Sequence, residues 1–200
     1  MSELATFVTL GFRHIVNPGA LDHILFLLAL AAIYRPRDWR DALWVVSAFT
    51  VGHSVTLGLA VTGVLVLPTS LIEFLIPLTI LATALENIAV RERGRALWHG
   101  GYRPAFAGLF GLVHGAGFAN YLRGLFVDNV ALPLFGFNVG IELGQVVVLA
   151  LAAVSLVVLD RILVFAALPQ RSGTLRLRIV TVSVVVALVA ARWAVERSPF

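Results

Sequence analysis

From residue 42 to residue 72 the chain contains no Asp, Glu, Lys or Arg. A membrane crossing needs about 20 apolar residues. The run is therefore longer than one crossing, and Pro68 marks a turn between two. In hydrocarbon every backbone amide must find its partner within the protein, and a helix does this inside its own segment. The remaining sequence has the same character: of 200 residues, 60% are apolar and 13% charged, where a soluble domain carries roughly a quarter charged. The sequence predicts an all-α polytopic membrane helix bundle, one integral-membrane domain over 1–200.

The apolar runs place six spanning helices at 19–34, 41–63, 69–90, 104–122, 133–163 and 175–195. A shorter helix at 4–14, interfacial or re-entrant, precedes them and ends at Asn17-Pro18-Gly19, where proline and glycine break a helix. All basic residues are arginine. The loops 35–41, 91–103 and 161–178 hold three, four and four of them, while 64–68 and 123–132 hold none and one. That alternation sets the arginine-rich loops inside and both termini outside. The formal net charge of +4 thus reports topology, and no nucleic-acid partner is expected. Met1-Ser2-Glu3-Leu4 lacks the basic start of a cleavable signal peptide. With no cysteine, disulfides and thiolate metal sites are excluded.

Against this background the ionisable residues stand out. His14 approaches from the outer surface, and Asp22 and His23 open the first spanning helix. His53 falls half-way along the second, His114 past the middle of the fourth, and Glu142 in the outer part of the fifth. Taken at ~1.5 Å rise per residue, these groups converge on the outer-to-middle zone. Ionisable groups at such depths are costly unless paired, wet or bound to something, and mark functional sites by default. Imidazoles with carboxylates suit metal ligation or a proton relay.

Each group also has a plain structural reading. Asp22 can cap a helix. Ser47, Thr50 and Ser54 can form an interhelical hydrogen-bond seam, which leaves His53 unexplained. Gly111 and Gly115 flank His114 as a packing face. Asn138, Glu142 and Gln145 share one face of the fifth helix by i, i+4, i+7 spacing, with Gly136, Gly140 and Gly144 on roughly the opposite face. Thr79, Thr83 and Glu86 align on the third helix. Glu86 either extends a polar path inward or reaches the inner interface beside Arg91 and Arg93. No Walker motif, nucleophile elbow or H-E-x-x-H pair is present.

Several of these motifs occur together, and in order, in a known family. His14…Asp22-His23-Ile24-Leu25-Phe26, Phe49-Thr50-Val51-Gly52-His53-Ser54, Ala84-Leu85-Glu86-Asn87, Phe110-Gly111-Leu112-Val113-His114-Gly115 and Phe137-Asn138-Val139-Gly140-Ile141-Glu142 resemble the second branch of the HupE/UreJ family, over nearly the whole chain. The resemblance implies a bacterial inner-membrane protein that takes up nickel or cobalt, with copper proposed for some members, and a metal signature in His14, Asp22 and His23.

The expected metal ligands are His14, Asp22, His23, His53, His114 and Glu142, three to five binding at once. Ser54, Thr83, Glu86, Asn138 and Gln145 would form a permeation path or surround the ligands. Nitrogen and oxygen donors without sulfur suit Ni, Co, Zn or Cu(II). The expected partners are the metal ion as substrate and the lipid bilayer. The rival expectation is an intramembrane zinc hydrolase acting on a lipid or membrane-embedded substrate, with Ser54, Asp22 or Glu142 as acid/base. A blander one is a scaffold or sensor without flux.

Overall fold

A computed structural model describes residues 2–90, 102–123, 130–165 and 171–200. Among these it contains seven α-helices: α1 (Glu3–Val16), α2 (Leu21–Ile33), α3 (Trp39–Val61), α4 (Thr69–Ala89), α5 (Tyr102–Arg123), α6 (Ala131–Phe165) and α7 (Arg171–Glu196). A single 3-10 turn, Pro36–Asp38, joins α2 to α3. The helix boundaries lie within four residues of those predicted. The arginines Arg91, Arg93 and Arg95 lie outside the described residues.

Local chemistry accounts for the breaks. The Ser2 hydroxyl accepts the Ala5 amide at 3.4 Å and starts α1. At its far end, Asn17 Oδ1 accepts the Gly19 amide at 2.9 Å and the Asn17 carbonyl accepts the Ala20 amide at 2.8 Å. This side-chain turn and Pro18 bend α2 away from α1 by 69°. After α3 the chain reverses at Gly63, whose φ of +78° suits a residue without Cβ.

Four helices, α3, α4, α6 and α7, are both long enough and apolar enough to cross a membrane. At 13 residues, α2 is about 20 Å long, short of the ~30 Å hydrocarbon core. It passes only together with α1, as a bent pair. α5 has the length, at 22 residues, but its glycines, His114 and Arg103 reduce its hydropathy. Outward-facing side chains such as Trp44, Val51 and Val55 on α3, and Leu151, Val154 and Val158 on α6, form the continuous apolar surface that lipid requires. The chain is a multi-pass helical membrane protein.

Glycines determine which helices meet most closely. On the α3–α5 seam, a Cβ at Gly52 would lie 2.0 Å from the Gly108 carbonyl oxygen, at Gly111 2.1 Å from that of Phe49, and at Gly115 2.2 Å from that of His53. On the α1–α6 seam, a Cβ at Gly11 would lie 2.0 Å from the Phe137 oxygen, and at Gly140 2.1 Å from the Val8 oxygen. Small residues let helix backbones touch in this way. Gly136 sits against Leu4, Gly140 against Val8 and Gly144 against Ile15, so α1 runs parallel to α6. It is therefore packed along a bundle helix over its full length, a tighter placement than a helix lying at the membrane surface.

Two arginines of α7 organise the opposite end. Arg176 donates to the carbonyls of Ile88 (2.6 Å) and Val90 (2.9 Å). Arg178 donates to those of Ala32 (3.2 Å) and Tyr34 (3.1 Å) and pairs with Asp160. They occupy the last, otherwise unbonded carbonyls of α4 and α2, where the helix dipole favours a cation. Arg178 is only 2% exposed. The sequence pattern places both in the basic loop 161–178. In the structure they are helix-end ligands within α7.

Candidate metal centre

The break between α1 and α2 brings the last turn of one helix and the first turn of the next to the same place. His14 and His23 therefore face each other, with ring centroids 4.7 Å apart. His53 reaches them from the middle of α3, its ring 6.5 Å from that of His14. One ring nitrogen from each of these three histidines lies within 4.8 Å of the others. A tetrahedral ion with metal–nitrogen bonds of 2.0–2.1 Å holds its ligand nitrogens roughly 3.3 Å apart. The three donors thus surround a volume that closes onto an ion with a shift on the order of an ångström. His53 is fully buried, held where the Gly111 and Gly115 seam presses α5 against its own backbone.

Hydrogen bonds define which nitrogen of each ring is free. His23 Nδ1 lies 3.1 Å from Asp22 Oδ1, and the same oxygen accepts the His23 amide at 2.9 Å. A carboxylate only accepts, so Nδ1 carries the proton and the lone pair is on Nε2. That atom is buried with no hydrogen-bond partner among the described residues. Carboxylate-to-imidazole support of this kind orients a metal ligand and raises its basicity. Here Asp22 positions His23.

His114 follows the same logic from the other side. Thr79 on α4 gives its hydroxyl proton to the Ile76 carbonyl at 2.7 Å. Its oxygen, 3.0 Å from His114 Nε2, can then only accept, so His114 is protonated on Nε2 and its lone pair is on Nδ1. That nitrogen too is buried and unpartnered, as are His14 Nε2 and both ring nitrogens of His53. The His114 ring lies 5.4 Å from that of His23, beside the three-histidine group and outside it. A buried polar atom left unbonded costs about 1–3 kcal/mol. Several such atoms gathered at one point indicate a ligand, and their shared chemistry is imidazole nitrogen.

An open depression of about 470 Å³ leads to the group, lined by Leu10, Arg13, His14, Asn17, Asp22 and His23 among others. His53 and His114 lie deeper. Below the histidines, Phe49 meets His114 edge-on at 5.1 Å and stacks on Phe26 at 4.8 Å, forming an aromatic layer.

The carboxylate and amide stripe of α6 goes elsewhere. Glu142 accepts a hydrogen bond from Ser47, and Gln145 accepts one from Thr50 at 2.7 Å. Both therefore tie α6 to α3, and Glu142 is not part of the three-histidine group. Asn138 keeps a buried, unpartnered Oδ1. Ser54 donates to the Thr50 carbonyl at 2.6 Å and Thr83 to that of Thr79 at 2.9 Å, so both hydroxyl protons are used on their own helices. Glu86 is bound by Tyr102 and Arg103 at the start of α5.

Two partners were not singled out as site residues from sequence: Thr79, which sets the His114 tautomer, and Arg103, which holds Glu86. The i, i+4, i+7 stripe of Thr79, Thr83 and Glu86 was the available signal for the first. Nothing in the sequence pairs Arg103 with Glu86.

The family described as HupE / UreJ protein matches residues 1–197. The chain belongs to the HupE/UreJ family. No curated protein and no solved structure matches it. Within this HupE/UreJ chain, the histidine group lies where two of the resemblance-bearing motifs meet, His14…Asp22-His23 and the one that holds His53.

Proposed function

We propose that this HupE/UreJ protein is a permease for a divalent transition metal, nickel or cobalt first, with zinc or copper as the other ions its donor set suits. One observation carries the reading: three imidazoles from three helices, with donors within 4.8 Å of one another and unpartnered nitrogens pointing together. Nitrogen ligands without thiolate favour borderline ions. The ion is substrate here. It would shed water in the depression at the α1–α2 break, bind His14, His23 and His53 with His114 as a further donor, and leave past the aromatic layer.

In this reading α1 and α2 form one broken span. α1 descends parallel to α6, the chain bends at the site, and α2 continues to the arginine-bearing end. With α3 to α7 that makes six crossings and both termini outside. Broken helices that place binding groups inside a membrane recur among transporters. The inward electric field supplies about 2.3 kcal/mol per charge per 100 mV, enough to drive a divalent cation into the cytoplasm of a bacterial cell across its inner membrane.

The test is metal flux into proteoliposomes, with Ni²⁺, Co²⁺, Zn²⁺ and Cu²⁺ offered separately. Wild type should accumulate at least one ion, and His23→Ala and His53→Ala should not. Tightly held metal with no flux of any ion would sink the permease and favour the hydrolase. Normal flux in both histidine variants would remove the site.

A further inference from the structure

Beyond the aromatic layer lies a second feature. A cavity of about 140 Å³ sits between α2, α3, α4 and α5, lined by Phe26, Thr83, Glu86, Tyr102, Arg103 and Ala107 among others. Such a volume holds several waters. Phe26 belongs to both compartments: it stacks on Phe49 and approaches the His114 ring to 5.9 Å, and it lines the cavity. The cavity is apolar except at the end away from the histidines. There Glu86 accepts from Tyr102 and from Arg103 Nη2. Arg103 Nη2 also donates to Asn87 Oδ1 at 3.2 Å, and Asn87 Nδ2 to the Ala29 carbonyl at 2.6 Å. The two charged side chains are 19% and 25% exposed, so the pair lies where the cavity meets its surroundings.

We propose that the Glu86 carboxylate is a second cation station on the route from the histidine centre, and that Arg103 is a tethered cation that occupies it and closes the cavity. The inference rests on the permease reading. A carboxylate with Thr83 and Tyr102 oxygens beside it offers the oxygen ligands that a partly hydrated divalent ion accepts. An arginine bonded to the same carboxylate competes with that ion for the same charge. Helix packing allows the arginine to move without moving the histidines. The glycines Gly108, Gly111 and Gly115 lock α5 to α3, whereas the face of α5 at Arg103 and Ala107 borders the cavity.

The absence of cysteine makes a direct test available. Ala107 is 3% exposed and lines the cavity, so Ala107→Cys introduces one thiol behind the pair. A membrane-impermeant methanethiosulfonate is applied to proteoliposomes from the side that bears Tyr102 and Arg103. The A107C thiol should react slowly in the otherwise native chain and in Arg103→Lys, and at least tenfold faster in Arg103→Gln. Ni²⁺ or Co²⁺ should then protect the thiol in A107C/R103Q and not in A107C/R103Q/E86Q.

Equal labelling with and without Arg103 overturns the closure, and protection that persists in the E86Q background overturns the station, as does absence of protection. If A107C/R103Q loses its native melting transition, Glu86→Gln in the A107C chain opens the same pair from the other partner and must accelerate labelling equally. Labelling needs no metal flux. A protein that transports nothing yet shows Arg103-dependent labelling keeps the closure and loses the permease. A protein that transports and shows no such dependence keeps the permease and loses the closure.

Discussion

The histidine group and the Glu86–Arg103 group are built oppositely. Around His14, His23, His53 and His114 the polar atoms that face one another are unpartnered, and the hydrogen bonds present, from Asp22 and Thr79, lie on the outer nitrogens. Around Glu86 the carboxylate already has a guanidinium and a phenol, and Asn87 is bonded at both ends. Both groups lie within one apolar bundle, where leaving polar atoms unbonded is expensive. The difference teaches where the protein supplies its own counter-group and where it leaves the coordination to a ligand. A metal should therefore bind tightly at the first group and only in competition at the second.

The comparison breaks most directly at His53. Replacing it by alanine removes a fully buried donor, and metal affinity of the purified protein, measured by competition with a chromogenic chelator, should fall by well over the ~10–100-fold typical of losing a supporting residue. Unchanged affinity would show that the imidazoles are not the binding group.

Gly115→Ala should come next. Its Cβ would sit 2.2 Å from the His53 carbonyl oxygen, a backbone atom that no side-chain rotation can clear. Pushing α5 from α3 carries His53 away from His14, so both the melting temperature in detergent and the metal affinity should drop. Gly63→Ala, where no atom lies within 4 Å of the added carbon, serves as the comparison for strain alone, with metal affinity retained.

A smaller loss is expected for Asp22→Asn. It leaves His23 in place and removes the charge behind it, so affinity should fall by roughly 10–100-fold while stability stays close to native. Thr79→Val, which frees His114 from its fixed tautomer, should cost less than Asp22→Asn by the same chelator assay. The smallest effect on metal belongs to the other group. Asn87→Ala should leave affinity at the histidines unchanged and lower stability by about 1–3 kcal/mol, as for two lost interhelical hydrogen bonds. A clear affinity loss there would mean that the two groups are energetically one.

Much of this arrangement was legible in the residues. The charge-free runs located the helices to within four residues, Asn17-Pro18-Gly19 located the break, and depth counting assigned His14, Asp22, His23, His53, His114 and Glu142 to the outer-to-middle zone. The glycine stripe of α6 was assigned to a close neighbour, and α1 is that neighbour. The role of Glu142 was less accessible. Its helical face was read correctly as an amide–carboxylate stripe, yet the structure gives that stripe to Ser47 and Thr50. Two faces of a lipid-embedded helix differ little in hydropathy, so periodicity does not say which neighbour a face will meet.

By itself, then, the sequence determined a membrane bundle, a proline–glycine break before the first spanning helix and a set of imidazoles at membrane depth. These follow from composition and from proline and glycine chemistry, which act locally. Tertiary structure alone decided that Thr79 orients His114 and that Arg103 takes Glu86. Those pairings depend on helix rotation and on approach distances set by glycine contacts between segments far apart in the chain, which no local pattern encodes.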